Sequence, residues 1–204
     1  MRLGKPIRRE QEAYHAPLSI RIQQPGGTER SYKLRSELIA TPLGTCGGAG
    51  QLGGTAGPWK ESYEASGTIA PDASCPGLLL VSLQGGGTAT HVGRYAITNS
   101  HCLNPSTGAF TNGVFVKTAA NGNQLFGTYV GNSTVIQVPQ PVGIFGITGT
   151  LSFSGGTGRF AGATGTVTMN GTLRADFSQP GAPIPTDARL VMIGEISSPG
   201  FAEH

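Results

Sequence analysis

Apolar residues recur from Trp59 onward in short runs that alternate with polar residues, and turn-forming residues separate the runs. Alternation is the pattern of a strand with one buried face, because successive side chains of a strand point to opposite faces. No segment has the period of an amphipathic helix. The pattern therefore predicts eight strands, over residues 61–70, 77–84, 88–98, 112–119, 123–130, 143–154, 159–169 and 189–196.

The clearest predicted element is a hairpin formed by the strands 143–154 and 159–169. The apolar face of its first strand carries Phe145, Ile147, Leu151 and Phe153. The apolar face of its second strand carries Ala161, Ala163, Val167 and Met169. About eight such strands in meander order predict an all-β fold, an antiparallel up-and-down barrel, because closure removes exposed sheet edges. A β-sandwich is the alternative.

One predicted strand departs from simple alternation. The run from Leu78 to Leu83 has apolar residues at five of its six positions, so both faces of the strand are apolar. A strand of a monomeric barrel needs only one apolar face. We therefore expect its outer face to be covered, either by the N-terminal residues or by another subunit, and this favours self-association.

The composition divides the chain of 204 residues into three parts. Glycine and proline are abundant, with 33 and 14 residues, and many glycines lie between apolar runs, as in a protein with many turns. Residues 1–43 form a predicted basic N-terminal arm with possible short strands at 20–22 and 32–34. Residues 44–58 are glycine-rich and predict a flexible linker, and residues 59–204 form the predicted barrel domain.

The net charge of +3 is concentrated near the N-terminus. Residues 1–40 have a net charge of +4, and the remainder has −1. A nearly neutral body argues against binding to nucleic acid. The chain also has neither an apolar run long enough to span a membrane as a helix nor the apolar core of a signal peptide. The protein is therefore either cytoplasmic or exported with its signal absent from this sequence.

The three cysteines are Cys46, Cys75 and Cys102, and none belongs to a Cys-x-x-Cys pair, so no metal is expected. A turn at 85–87 would join the strands 77–84 and 88–98 and bring Cys75 and Cys102 to the same end of the hairpin. That turn places Cys75 opposite Ile97, so the chain beyond must curl back for a disulfide to form. A bridge would favour an extracellular or periplasmic location. Three reduced cysteines are the alternative.

Four residues are weak candidates for catalysis. His91, Arg94 and Tyr95 fall in one predicted strand, where His91 and Tyr95 share a nominal face and Gly93 could mark a bulge. A histidine and a tyrosine on an inner wall could bind or protonate a ligand, or they could be core residues with partners. Glu195 would be a candidate acid or base if it faced inward, or half of an ion pair if an arginine met it.

Other motifs carry little chemistry. Adjacent residues of a strand point to opposite faces, so His101 and Cys102 are not expected to form a catalytic pair. The glycines of 156–161 fit a dinucleotide-binding pattern, but a strand pattern follows them where that motif needs a helix, so no cofactor is expected. Two sequences, at 132–134 and 170–172, fit the short glycosylation pattern.

Two segments resemble known families. The sequence GGTGRFAGATG at 155–165 resembles the hairpin of dirigent proteins and the related turn of allene oxide cyclases. The sequence THVGRY at 90–95 is similar to a motif of uncharacterised bacterial proteins, many of them exported, that carry the same hairpin. The resemblance implies an eight-stranded barrel that commonly forms trimers. The catalytic residues of those families have no match here.

These observations favour a non-catalytic, oligomeric barrel that binds a small apolar molecule. An enzyme that cyclises or isomerises a flexible apolar substrate inside the barrel is the alternative, and a secreted surface protein without a ligand is a third reading. The interior distinguishes them, because an eight-stranded barrel has room for packed side chains or one small ligand. Several converging polar groups in a wet cavity favour the enzyme, an apolar cavity favours binding, and a filled interior favours a structural role.

Overall fold

The computed structural model describes residues 18–23, 29–34, 55–138, 141–181 and 183–201, with side chains described within 56–138, 141–181 and 183–200. Eight antiparallel strands close into a barrel, as the sequence predicts. Each strand pairs with its neighbour in the chain, and the last strand pairs with the first. The barrel strands are β3 (Thr55–Pro71), β4 (Leu79–Ala89), β5 (Gly93–Leu103), β6 (Ala109–Ala119), β7 (Gln124–Gln137), β8 (Val142–Gly156), β9 (Thr164–Asp176) and β10 (Ile184–Ser198).

Two further strands precede the barrel. β1 (Leu18–Gln23) and β2 (Glu29–Leu34) pair antiparallel, at the two places where short strands are predicted. The barrel itself begins earlier than expected, because β3 starts at Thr55 and pairs with β10 from that residue on. Residues 55–58 therefore belong to the barrel rather than to the linker, and the rest of the predicted linker lies outside the described residues.

The hairpin of β8 and β9 confirms one predicted face and corrects the other. Phe145, Ile147, Leu151 and Phe153 all point into the barrel and are buried. The second strand begins later than predicted, at Thr164, because a short 3-10 turn at Gly158–Phe160 joins the two strands. Ala161 is consequently exposed in the connection, whereas Val167 and Met169 are buried as expected.

The largest error of the sequence prediction concerns β4 and β5. Gly85, Gly86 and Gly87 are not a turn but part of β4, and the hairpin turns at residues 90–92 instead. Gly87 lies directly opposite Tyr95, and a Cβ atom at Gly87 would lie only 2.6 Å from the Tyr95 hydroxyl oxygen. Glycine is required there because a Cβ atom would also lie 2.1 Å from the carbonyl oxygen of Ser62 and would therefore clash with both neighbouring strands, not because the chain reverses.

The two ends of the barrel differ. At one end, here called the closed end, β3 begins, β10 finishes, and the 3-10 turn packs Phe160 beneath it with no exposed surface. The opposite end, here called the cavity end, carries the connections that follow β3, β5, β7 and β9. Two internal cavities lie in the middle and at the cavity end of the barrel, as described below.

The apolar strand at 78–83 has a simpler environment than expected. Leu79, Val81 and Leu83 point inward and are buried, whereas Leu78 and Leu80 are half-buried. The large apolar side chains that are well exposed on the barrel wall lie mainly on other strands: Val114, Val116, Val130, Val191 and Ile193. Among the described residues, no helix is long and apolar enough to cross a bilayer.

Candidate ligand site in the barrel interior

A buried ion pair occupies the closed end of the interior. The Lys117 ammonium lies 2.5 Å from Glu61 Oε2, and neither side chain has exposed surface. The Trp59 indole N–H donates to the same oxygen at 2.9 Å, and the Tyr95 hydroxyl donates to Glu61 Oε1. Both carboxylate oxygens therefore accept hydrogen bonds, which is the condition under which a buried carboxylate is tolerated.

Aromatic rings surround the ammonium of this ion pair. The Lys117 nitrogen lies 5.0–5.8 Å from the ring centres of Trp59, Tyr95, Phe115 and Phe153. Ring faces attract a desolvated cation, so the rings offset part of the cost of burial. Burial nevertheless lowers the pKa of Lys117, and the carboxylate of Glu61 acts in the opposite direction. The closed end is thus a polar core in which each charged group has partners.

A second polar layer crosses the middle of the barrel. The Tyr63 hydroxyl donates to Asn99 Oδ1 at 3.3 Å, and His101 Nδ1 and the Tyr129 hydroxyl are 2.8 Å apart. Burial raises the pKa of both tyrosines far above its ordinary value, and a hydrogen bond with Asn99 acts in the opposite direction on each. These four side chains therefore form two hydrogen-bonded pairs that are neutral at neutral pH.

Two cavities of about 40 Å³ each lie beside this layer, and they meet at His101. The outer cavity lies at the cavity end and is lined by Leu79, Val81, Phe110, Phe145, Ile147 and Leu173, among others. The inner cavity lies between His101, Asn99, Tyr129 and apolar side chains such as Leu83 and Met169. No charged residue lines either cavity in the described part of the chain. The space is apolar except at His101, Asn99 and Tyr129 and, in the outer cavity, at Ser133.

His101 is the most distinctive group of this site. Burial lowers its pKa from the usual 6.5 to about 4, so the ring is neutral at neutral pH. Phe110 packs on the imidazole with ring centres 4.7 Å apart, and Tyr129 contacts its edge. The bond with Tyr129 uses Nδ1, which leaves Nε2 as the ring nitrogen for a ligand in the cavities. A neutral imidazole can donate or accept one hydrogen bond there.

The residues proposed as catalytic candidates from sequence do not converge. His91 lies in the turn between β4 and β5 with φ of 64°, so it is not a strand residue, and it is exposed. Arg94 and Glu195 are also exposed, and Arg174 lies beside Asp176 and Asp187 rather than Glu195. Only Tyr95 faces the interior, where its hydroxyl is bonded to Glu61.

Cys75 and Cys102 form a disulfide at the cavity end, with their Cα atoms 5.5 Å apart. The route of the chain differs from the predicted one because the hairpin turns at residues 90–92. The chain before β4 curls back instead of the chain after β5, through hydrogen bonds from Cys75 N to Asp72 O and from Leu78 N to Cys75 O. The bridge holds the connection before β4 next to Cys102, the residue that follows His101 in β5. Cys46 lies outside the described residues.

The interior network was not identified from sequence, although alternation carried a signal for part of it. Glu61 shares its strand face with Trp59 and Tyr63, and Lys117 shares its face with Phe115. A charged residue that alternates with aromatic residues on the apolar face of a strand indicates a buried partner. His101 carries no such signal, because its hydrogen bond with Tyr129 joins residues that are distant in the chain.

The fold and site define a closed eight-stranded up-and-down β-barrel whose interior contains a polar core at one end and apolar cavities at the other. No three potential metal-ligating side chains come together among the described residues. Comparison of the chain with protein-family models, with curated proteins and with solved structures found no match. Functional inference therefore rests on the site itself.

Proposed function

We propose that this protein binds one small, uncharged and mainly apolar molecule at the cavity end of its barrel. The observation that supports this function is the pair of apolar cavities that meet at the neutral His101. Apolar cavities in proteins stay dry and accept small apolar molecules, and a single polar group is enough to orient such a ligand. Each of the two cavities has a volume of about 40 Å³, which suits a small ligand rather than a large one.

An isomerase or cyclase that acts on a small apolar substrate is the second candidate. The specific observation in its favour is the hydrogen bond between His101 and Tyr129 at the edge of both cavities. A buried histidine and tyrosine in contact can move a proton to or from a bound substrate. Binding is preferred because a pKa near 4 makes His101 a weak base at neutral pH.

Three further proposals concern the evolutionary relationship of this protein, its self-association and its cellular location. The connection at 155–165 supports a relationship to dirigent proteins and allene oxide cyclases, which share an eight-stranded barrel. Exposed valines at 114, 116 and 130 support self-association, because large apolar residues on an outer wall favour an interface. The disulfide of Cys75 and Cys102 supports an extracellular or periplasmic location, where such bonds persist.

The binding proposal is tested with benzene as the probe and two matched valine substitutions. Val81 lines the outer cavity, and Val114 lies on the outer wall with about half of its surface exposed. We expect benzene to raise the melting temperature of the wild-type protein and of Val114→Phe, because a ligand that binds only the folded state stabilises it. Val81→Phe fills the cavity and should abolish the shift.

Folding of the variants is checked by the near-ultraviolet signal of Trp59, which is buried at the closed end away from both substitutions. If Val81→Phe does not fold, Leu103→Phe at the half-buried rim of the same cavity replaces it. The proposal fails if benzene leaves the wild-type melting temperature unchanged, or if it stabilises the cavity-filling variant and the wild type equally.

A further inference from the structure

We propose that the N-terminal hairpin of β1 and β2 packs with its apolar face on the outer wall of β10, around Val191 and Ile193 of the same chain. This contact does not involve the ligand site in the interior. It joins two apolar faces, each with a single charge of opposite sign at one end.

The hairpin has one apolar and one polar face. Along β1, Leu18, Ile20 and Ile22 alternate with polar residues. The register sets Leu34 of β2 opposite Leu18, and Tyr32 opposite Ile20. Residues directly opposite each other belong to one face of a two-stranded sheet, because successive residues of each strand alternate between the faces. These five apolar residues therefore share a face.

The apolar face of this hairpin needs a partner, because an isolated two-stranded hairpin is at best marginally stable in water. Among the described strands, β1 and β2 form a sheet of their own and pair with no strand of the barrel. The barrel is closed, so it offers no free strand edge that a third strand could extend. The hairpin must therefore pack on the barrel face to face.

The outer wall of β10 offers a matching face. Val191 and Ile193 point outward, with 54% and 62% of their surface exposed. Their neighbours on β9 are uncharged, since Asn170 lies opposite Val191 and Thr168 lies opposite Ile193. On β3, Lys60 lies opposite Ile193, and a lysine can cover an apolar contact with its stem while its ammonium stays in water. Burial of the two apolar side chains stabilises the contact.

One charge at the end of each face sets the orientation of the hairpin. Arg30 lies opposite Ile22, next to the turn between β1 and β2. Glu195 is exposed, follows Ile193 on the outer face of β10 toward the closed end, and belongs to none of the ion pairs in the described part of the chain. The turn of the hairpin therefore points to the closed end, where Arg30 meets Glu195.

The position of the chain connection favours this wall over the others. Residues 35–54 connect β2 to β3, and twenty residues span at most about 65–70 Å. β3 enters the barrel at Thr55 beside Ser198, and Ile193 lies five residues from Ser198 along β10, about 17 Å away.

The exposed valines of β6 and β7 are less accessible to the hairpin. Four strand pairings separate β6 from β10 in either direction, so these valines lie on the opposite side of the barrel. A tethered segment has its highest effective concentration at a site that its connection reaches easily. The outward faces of β6 and β7 also have no charged residue to meet Arg30.

The contact is tested by amide hydrogen exchange of β1 and β2 in the full-length protein, followed by mass spectrometry. The wild type should protect these amides, because a hairpin without a partner opens readily. Val191→Thr with Ile193→Thr keeps β-branched residues but removes apolar surface, and should speed exchange of the hairpin about tenfold. Val114→Thr with Val130→Thr, on the opposite wall, is the matched control and should leave exchange unchanged.

Charge reversal tests the orientation separately. Glu195→Arg should speed exchange of the hairpin at low salt, and Glu195→Arg with Arg30→Glu should restore protection. Folding of every variant is checked by the near-ultraviolet signal of Trp59, which is buried inside the barrel. The charge variants carry the test if the threonine variant of β10 does not fold.

Three results would overturn the contact. The first is a wild-type hairpin whose amides exchange without protection. The second is equal acceleration by the two pairs of threonine substitutions. The third is protection that rises with protein concentration, because it would place the hairpin on a second copy of the chain. Failure of the double charge reversal to restore protection overturns the pairing of Arg30 with Glu195.

Discussion

The two ends of the barrel interior handle polar groups in opposite ways. At the closed end, Glu61 and Lys117 are both charged, fully buried and supplied with partners by Trp59, Tyr95 and the surrounding rings. At the cavity end, apolar side chains leave space, and the polar side chains that line it, such as His101 and Ser133, are neutral. The same eight-stranded barrel thus encloses a structural polar core at one end and a candidate binding site at the other.

The difference shows that burial of ionisable groups does not by itself mark a functional site. The ion pair has the stronger electrostatics, but its atoms are occupied by each other, and neither Glu61 nor Lys117 lines the two cavities described above. His101 is neutral, but it lines both cavities, and its Nε2 is not used in the hydrogen bond with Tyr129. We therefore assign structure to the closed end and binding to the cavity end.

The largest predicted effect concerns the ion pair. Lys117→Met removes the cation and leaves the Glu61 carboxylate buried without its counter-charge. Removal of one partner of a buried pair costs about 3–5 kcal/mol of unfolding free energy. We expect Glu61→Gln to have a cost in the same range, and urea denaturation followed by Trp59 fluorescence measures both.

The double variant Glu61→Gln with Lys117→Met is the control for that prediction. It removes both charges, so its loss of stability should be smaller than the sum of the two single losses, since residues in contact are not additive. Additive losses, or single losses below about 1 kcal/mol, would show that the pair does not act as a unit.

The disulfide at the cavity end is expected to have the next largest effect. It joins residues 27 positions apart, and loop-entropy reasoning gives about 3.5 kcal/mol of stabilisation for a loop of that length. Reduction should lower the unfolding free energy of the wild type by about that amount. The variant Cys75→Ser with Cys102→Ser should be insensitive to reductant, and its cavity should bind benzene less tightly because the connection beside His101 is no longer pinned. Reductant sensitivity in this variant would contradict the assignment.

The smallest of the stability effects comes from His101. Burial lowers its pKa in the folded protein, so between pH 6.5 and about 4 the unfolded chain binds more protons than the folded one. The stability contribution is fully present above pH 6.5 and is lost as the pH falls to about 4, a loss of about 3 kcal/mol. His101→Gln should flatten the pH dependence of urea denaturation in this window. Equal slopes in the wild type and in this variant would contradict a buried neutral histidine.

The strand number and the closed barrel were predictable because alternation is a local signal. The run from Phe145 to Phe153 specifies its buried face without reference to the rest of the chain. The register of β4 and β5 was not predictable from the glycines, because glycine serves both turns and close packing. Gly87 is required by Ser62 and Tyr95 on the two neighbouring strands, and these contacts are visible only once the register is known.

The candidate site was less predictable than the fold for the same reason. A turn at 85–87 would put His91 on a strand with Tyr95. The chain turns at residues 90–92 instead, so His91 lies in the turn and is exposed. His101 and Tyr129 belong to β5 and β7 and come together only through closure of the wall. Partnerships across strands depend on register and shear, which a single sequence does not specify.

The division between a structural end and a binding end is tested most directly by methyl NMR with benzene as the probe. Isoleucine, leucine and valine methyl groups sample both ends of the interior in one experiment. The account predicts saturable shifts at Val81, Ile147 and Leu173, which line the outer cavity, and unchanged signals at Leu125, Val167 and Ile196, which are buried at the closed end. Shifts confined to the closed end, or to exposed methyl groups of the outer wall such as Val114 and Val130, would contradict it.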